Sequence, residues 1–214
     1  MTDEGRIFAV GDIHGCYEAL CRLLERIPIA WGRDRLVFLG DYIDRGPDSF
    51  EVVEHLIALG RRHPDVVFLK GNHEAMLLEY LEGRDRLTYL YNGGRQTLES
   101  YLRRAPAAAG PPVPEEHRRF FESLRLFYET EDYLFVHAGM RHGLPLARQR
   151  AEDLLWIREE FLSERRPFGK RVVFGHTPFE EPLVEDNKIG IDTGAVYGNK
   201  LTCLQLPEER FIHA

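Results

Sequence analysis

Five short apolar runs in this chain each stop at an Asp, Asn or His, with a glycine close by. Residues 6–10 lead into Gly11-Asp12-Ile13-His14-Gly15, and 35–39 into Gly40-Asp41-Tyr42-Ile43-Asp44-Arg45-Gly46. Residues 66–70 lead into Gly71-Asn72-His73-Glu74, 133–136 into His137-Ala138-Gly139, and 171–174 into Gly175-His176-Thr177. A strand that halts on such a residue delivers its side chain to the carboxyl edge of a sheet, where α/β folds hold ligands. Five endings of this kind predict one polynuclear metal site.

The intervening sequence supports that frame. Residues 1–82 read as β-α-β-α-β-α, with strands at about 6–10, 35–39 and 66–70. Helices are predicted over 17–26, from Asp48 or Ser49 to 62, and around Met76, Leu77, Tyr80 and Leu81, from apolar residues at helical spacing. Such alternation implies a largely parallel sheet. Residues 83–131 break the rhythm and read as a helical insertion over the site, with helices near 96–102 and 115–124 and an Ala/Pro connection at 105–114. Beyond 132 the pattern is β-rich, with strands near 133–136, 171–174, 183–185, 188–191 and 201–206. Asp186-Asn187 marks a hairpin turn, and one helix is predicted over 151–162. The 214 residues are read as a single domain.

Composition narrows the function. A formal net charge of −7 argues against a nucleic-acid polymer as partner, since such binders carry a basic face. No apolar stretch approaches membrane-spanning length. Three scattered cysteines, Cys16, Cys21 and Cys203, offer no disulfide framework or disulfide-linked partner and suit a reducing cytoplasm.

Asp12, His14, Asp41, Asn72, His137 and His176 form the ligand set. Carboxylate, imidazole and amide oxygen without thiolate suit Mn²⁺, Fe or Zn²⁺. Six ligands exceed what one catalytic ion with an open position uses, so two ions sharing a carboxylate are expected. Such a pair activates a water and clamps a phosphoryl oxygen. His73, beside Asn72, falls at the edge of the pair, and Asp44 is placed to orient it. Arg45 offers a rigid fork for phosphate. Glu74 reads as a helix-start carboxylate or a catalytic group, Asp192 as a turn residue in preference to a ligand, and Trp31 and Trp156 as core. Tyr42 reads equally as site lining or core.

The motifs Gly11-Asp12-Ile13-His14-Gly15, Gly40-Asp41-Tyr42-Ile43-Asp44-Arg45-Gly46 and Gly71-Asn72-His73-Glu74, followed by His137-Ala138-Gly139 and Gly175-His176-Thr177, resemble those of the phosphoprotein phosphatase family of calcineurin-like metallophosphoesterases. Asn92-Gly93-Gly94, Leu155-Trp156-Ile157-Arg158 and Ile191-Asp192-Thr193-Gly194-Ala195 add to the likeness, which points to the compact bacterial and bacteriophage branch. The resemblance implies an α/β two-sheet β sandwich flanked by helices. It implies that Asp12, His14 and Asp41 hold one metal and Asp41, Asn72, His137 and His176 the other, most simply as Mn²⁺. A bridging water would attack phosphorus in line, His73 with Asp44 would protonate the leaving oxygen, and Arg45 and Arg158 would hold the phosphoryl group. Arg158 follows from the resemblance alone.

The leading expectation is a phosphatase acting on phosphoserine or phosphothreonine in proteins, or on small phosphoesters. The alternative is a symmetrical dinucleoside tetraphosphatase. Asp44 and Glu74 favour the first, because members of the second group typically replace the former and end the third motif in Asp. A catalytically inert binding scaffold would lack His73 or Arg45, and a phosphodiesterase offers fewer charged oxygens to two arginines.

Overall fold

A computed structural model describes residues 5–104 and 113–214. Two five-stranded mixed sheets stack face to face. In the first, β1 (Ile7–Val10), β2 (Arg35–Phe38) and β3 (Val67–Phe68) run parallel, and β9 (Thr202–Leu206) and β10 (Arg210–His213) extend it antiparallel in the order β10-β9-β1-β2-β3. The second holds β4 (Phe127–Glu129), β5 (Tyr133–Val136), β6 (Arg171–Phe174), β7 (Leu183–Val184) and β8 (Lys188–Gly190) in the order β4-β5-β6-β8-β7, with β5, β6 and β8 parallel.

The two-residue period of a strand explains the layers. Ala9, Val37, Leu39, Phe135, Val173, Ile189 and Leu204 point inward and fuse the two sheets. Their neighbours Phe8, Val10, Leu36 and Phe38 point outward onto helices α1 (Tyr17–Arg26) and α2 (Ser49–Arg62). On the other side Leu134, Val136, Val172 and Phe174 pack against α7 (Ala151–Trp156) and α8 (Glu159–Leu162). Both faces of the central strands β1, β2, β5 and β6 are covered, so these strands read as unbroken apolar runs.

The elements depart from expectation in four places. The third strand is only two residues long, because beyond it the chain changes partner and Lys70 N–H donates to Arg125 carbonyl at 2.7 Å. The helix predicted over 151–162 is broken at Ile157-Arg158, which lets Ile157 and Phe161 both reach the core while Arg158 turns outward. Strand β4 was not foreseen inside 83–131, nor β10 near the end of the chain. Within 83–131 the described residues form α4 (Arg86–Tyr89), a wide turn at Leu90–Gly94, α5 (Arg95–Arg104) and α6 (Glu115–Ser123). Of the Ala/Pro connection expected at 105–114, residues 105–112 lie outside the described residues. The Asp186-Asn187 turn joins β7 to β8 as expected. No helix among the described residues is long and apolar enough to cross a membrane.

Candidate metal centre

All five predicted strand endings converge on one edge of the sandwich, three from the first sheet and two from the second. The chain must turn sharply as it leaves each strand. His14, Asp41, Asp44, Arg45 and His176 accordingly adopt φ of 46°, 53°, 72°, 67° and 64°. Non-glycine residues seldom enter this left-handed region, and each such residue stores roughly 1–3 kcal/mol of strain. The loops are locked together by backbone bonds: Asp41 carbonyl accepts from Ile13 N–H at 3.0 Å and His14 N–H at 2.8 Å. Gly175 lies so close to the Asp12 carboxylate that a Cβ there would collide with it. That approach lets His176 N–H donate to Asp12 Oδ2 at 3.0 Å, tying one sheet to the other.

Asp41 is the hub. Its Oδ2 lies 3.4 Å from His14 Nε2 and its Oδ1 3.5 Å from His137 Nε2. Asn72 Oδ1 is 2.9 Å from both His137 Nε2 and His176 Nδ1. Two groups of ligand atoms emerge, His14–Asp41–His73 and Asp41–His137–His176, sharing Asp41. Asp12 stands beside them on its bond to His176.

The protonation pattern tests whether these residues suit cations. His14 Nδ1 donates to Ile43 carbonyl at 2.8 Å and His137 Nδ1 to Leu39 carbonyl at 2.9 Å, which fixes the proton on the far nitrogen of each ring. Burial pushes His14 down to about 3 and His176 to about 2, and also lowers His137, so the rings stay neutral. Burial raises Asp41, but the attraction that His137, His73 and His14 exert on its carboxylate whenever one of them takes up a proton outweighs it and holds the carboxyl below the usual range. Imidazole lone pairs therefore face a carboxylate across 3.4–3.5 Å with no proton between them. A second buried carboxylate, Asp192, reaches about 6 through burial, and burial with the charges of Asp192 and Asp41 pushes Asp12 well up. Lone pairs and surplus negative charge converging in a buried cleft fit divalent cations.

The remaining residues surround this hub. His73 Nδ1 bonds Asp44 Oδ2 at 2.7 Å, while its buried Nε2 has no partner. Burial lowers His73, yet the Asp41 charge and the Asp44 bond leave it raised. Asp44 Oδ1 accepts from Tyr89 hydroxyl at 2.9 Å and Thr97 hydroxyl at 2.6 Å. Neither donor was singled out from sequence; their one signal is that they flank Asn92-Gly93-Gly94. Gly93 carbonyl accepts from Arg45 N–H at 3.2 Å, and Arg45 Nη1 lies 2.6 Å from His14 Nε2. Arg158, exposed in the α7–α8 break, donates to Thr177 hydroxyl at 3.2 Å beside His176.

Several sequence readings are decided by contacts. Glu74 accepts from Gly71, Asp41 and Tyr42 N–H at 2.9, 3.0 and 2.8 Å, so it braces the loops from the start of α3 (Asn72–Leu81). Tyr42 is core: its hydroxyl donates to Leu69 carbonyl at 2.6 Å. Trp156, expected in the core, is 41% exposed with its ring edge-on to His176 at 6.2 Å. Trp31 is also partly exposed and stacks on His63. Asp192 does form a turn, accepting Gly194 N–H at 2.9 Å, but it follows β8 as a sixth strand ending at the same edge. His117 is buried between Tyr101 and Glu54, where it fastens α6.

The profile of calcineurin-like phosphoesterases matches residues 5–203. The chain is 29% identical over 228 residues to the bis(5′-nucleosyl)-tetraphosphatase PrpE [asymmetrical] of Geobacillus sp. strain WCH70, covering 95% of this chain and 91% of that one. Its counterpart of the same name in Bacillus mycoides strain KBAB4 is 28% identical over 93% of this chain and 89% of its own length. Among solved structures, a candidate diadenosine tetraphosphatase superposes with a TM-score of 0.75 at 26% identity, covering 100% and 94% of the two chains. The cold-active protein tyrosine phosphatase of a psychrophilic Shewanella shares the fold, with a TM-score of 0.74 at 20% identity over 100% and 80%. The converging strand ends and the profile that spans them agree: the chain belongs to the calcineurin-like phosphoesterases.

Proposed function

We propose that the chain hydrolyses dinucleoside tetraphosphates off-centre, releasing a nucleoside monophosphate and a nucleoside triphosphate. The observation that carries this reading is the similarity over 95% of the chain to relatives that bear that name. The sequence favoured a protein phosphatase partly through Glu74. Glu74 is engaged with three backbone amides of its own loops, a bracing role that does not depend on the substrate. Asp44, bonded to His73, is the observation that keeps a phosphomonoesterase as the second reading.

In this proposal Asp12, His14 and Asp41 hold one divalent ion and Asp41, Asn72, His137 and His176 the other, with Mn²⁺ the first choice and Fe or Zn²⁺ suited to the same donors. Ions bound there supply an acidified water as nucleophile and neutralise phosphoryl charge. Arg45 and Arg158 orient the phosphoryl oxygens from the two sides of the cleft. As the water oxygen bonds to phosphorus, the anhydride P–O bond breaks on the opposite side. His73 gives the proton on Nε2 to the departing oxygen, and Asp44 stabilises the imidazolium form that carries it. We take 1–214 as one metallophosphoesterase domain, supported by the pairing of β1 with β9. A cytoplasmic setting is supported by three free cysteines.

The test is side-by-side turnover of diadenosine tetraphosphate and a phosphothreonine peptide by Mn²⁺-loaded protein, with products resolved by ion exchange. AMP and ATP are expected. Two ADP would make the cleavage symmetrical, and preference for the peptide would install the second reading.

A further inference from the structure

Tyr197 is 64% exposed, although it stands over the heart of the site. Its ring lies 5.8 Å from the guanidinium carbon of Arg45, the arginine assigned to the phosphoryl group. The ring belongs to a tight turn, Ala195–Tyr197, between Gly194 at φ 68° and Gly198 at φ 90°. Tyr197 N–H donates to Gly194 carbonyl at 2.9 Å, and Gly194 N–H to Asp192 at 2.9 Å. Thr193 hydroxyl closes the base of the turn on Lys200 carbonyl at 2.7 Å. The turn is thus built on the β8 strand ending and holds an aromatic plane at the cleft wall, with the guanidinium near the ring and most of the ring open to solvent.

A flat, open aromatic surface beside a phosphate-binding cation is a platform for a nucleobase, since every base has a π face and stacking tolerates differences in sequence. Cation–π attraction from Arg45 stiffens the ring. Position matters as much as chemistry. A nucleoside whose own 5′-phosphate sits at Arg45 keeps its base one ribose away, within reach of a ring 5.8 Å from that guanidinium. A base reached through a further phosphate would extend past it. Two other exposed aromatics fit less well: Trp156 meets His176 edge-on, and Tyr91 projects from the wide turn between α4 and α5.

We propose that Tyr197 stacks the nucleobase joined to the phosphoryl group under attack, and so selects nucleotides and off-centre cleavage. The proposal rests on the dinucleotide reading above. Calorimetry with AMP and ribose 5-phosphate tests it, because the two ligands differ only in the base. Wild-type protein is expected to bind AMP about fivefold tighter than ribose 5-phosphate, the low end for one stacked base. Tyr197→Ala is expected to bind both equally, and Tyr197→Phe to keep the preference. No preference in the wild type, or a preference retained by Tyr197→Ala, overturns the stacking role. If either result comes with turnover of diadenosine tetraphosphate, the functional reading stands without it. Absence of dinucleotide turnover by the wild type overturns the functional reading itself.

Discussion

Asp44→Asn isolates the link between the candidate metal edge and His73, the proposed general acid. The two oxygens of Asp44 have separate duties: Oδ1 receives Tyr89 and Thr97, and Oδ2 receives His73. Asparagine keeps an oxygen for the first pair and puts an amide N–H against His73 Nδ1. The imidazole must then carry its proton on Nε2 in the neutral form, which is a poor acid. What is lost is one buried charge-assisted hydrogen bond of 2.7 Å, worth about 1.5–3 kcal/mol. At about 1.36 kcal/mol per tenfold, kcat on an alkyl monoester such as glycerol phosphate falls about 13- to 160-fold near neutral pH. The pH profile carries the sign. Asp41 and Asp44 raise His73 against the effect of burial, so the active imidazolium persists to higher pH and activity fades as pH climbs through that value. Removing the Asp44 charge moves this limb to lower pH. Steady-state kcat across pH, with circular dichroism to confirm folding, is the assay. Unchanged kcat with an unmoved alkaline limb would refute the role of Asp44.

His73→Ala is expected to lower kcat by about 10²–10⁴ on glycerol phosphate, the scale of general-acid loss, and by less on p-nitrophenyl phosphate, whose leaving group needs little protonation. Equal losses on the two substrates would remove His73 as the acid. Exhaustive chelation is expected to abolish turnover and lower the melting temperature, because the imidazole lone pairs are left facing the Asp41 carboxylate; Mn²⁺ restores both. Activity that survives chelation would remove metals from the mechanism.

The candidate metal ligands were legible because each lies within a few residues of a strand end, and a run of apolar residues halted by Asp or His is a local signal. The two-sheet layering was carried by the family resemblance, since strands covered on both faces do not reveal which sheet they join. Arg158 was hidden by periodicity: Leu154, Leu155 and Phe161 suggest one continuous helix, and the break shows only once Ile157 must also be buried. Tyr89 and Thr97 were hidden by distance, since Thr97 meets a carboxylate 53 positions earlier. Glu74 left two readings open, because nothing local distinguishes a brace of backbone amides from a catalytic carboxylate.

The clamp on Asp44 has a consequence for how such enzymes diverge. Tyr89 and Thr97 belong to helical segments hung outside both sheets, whereas the candidate ion donors belong to the strand edges. With His73 as the proposed acid, its strength and the capture of ions are therefore written in different stretches of chain. A lineage can rewrite residues 86–104 and retune which leaving groups it tolerates while inheriting its ion donors intact. Gene duplication followed by drift in that stretch alone is a short route from one phosphate ester to another.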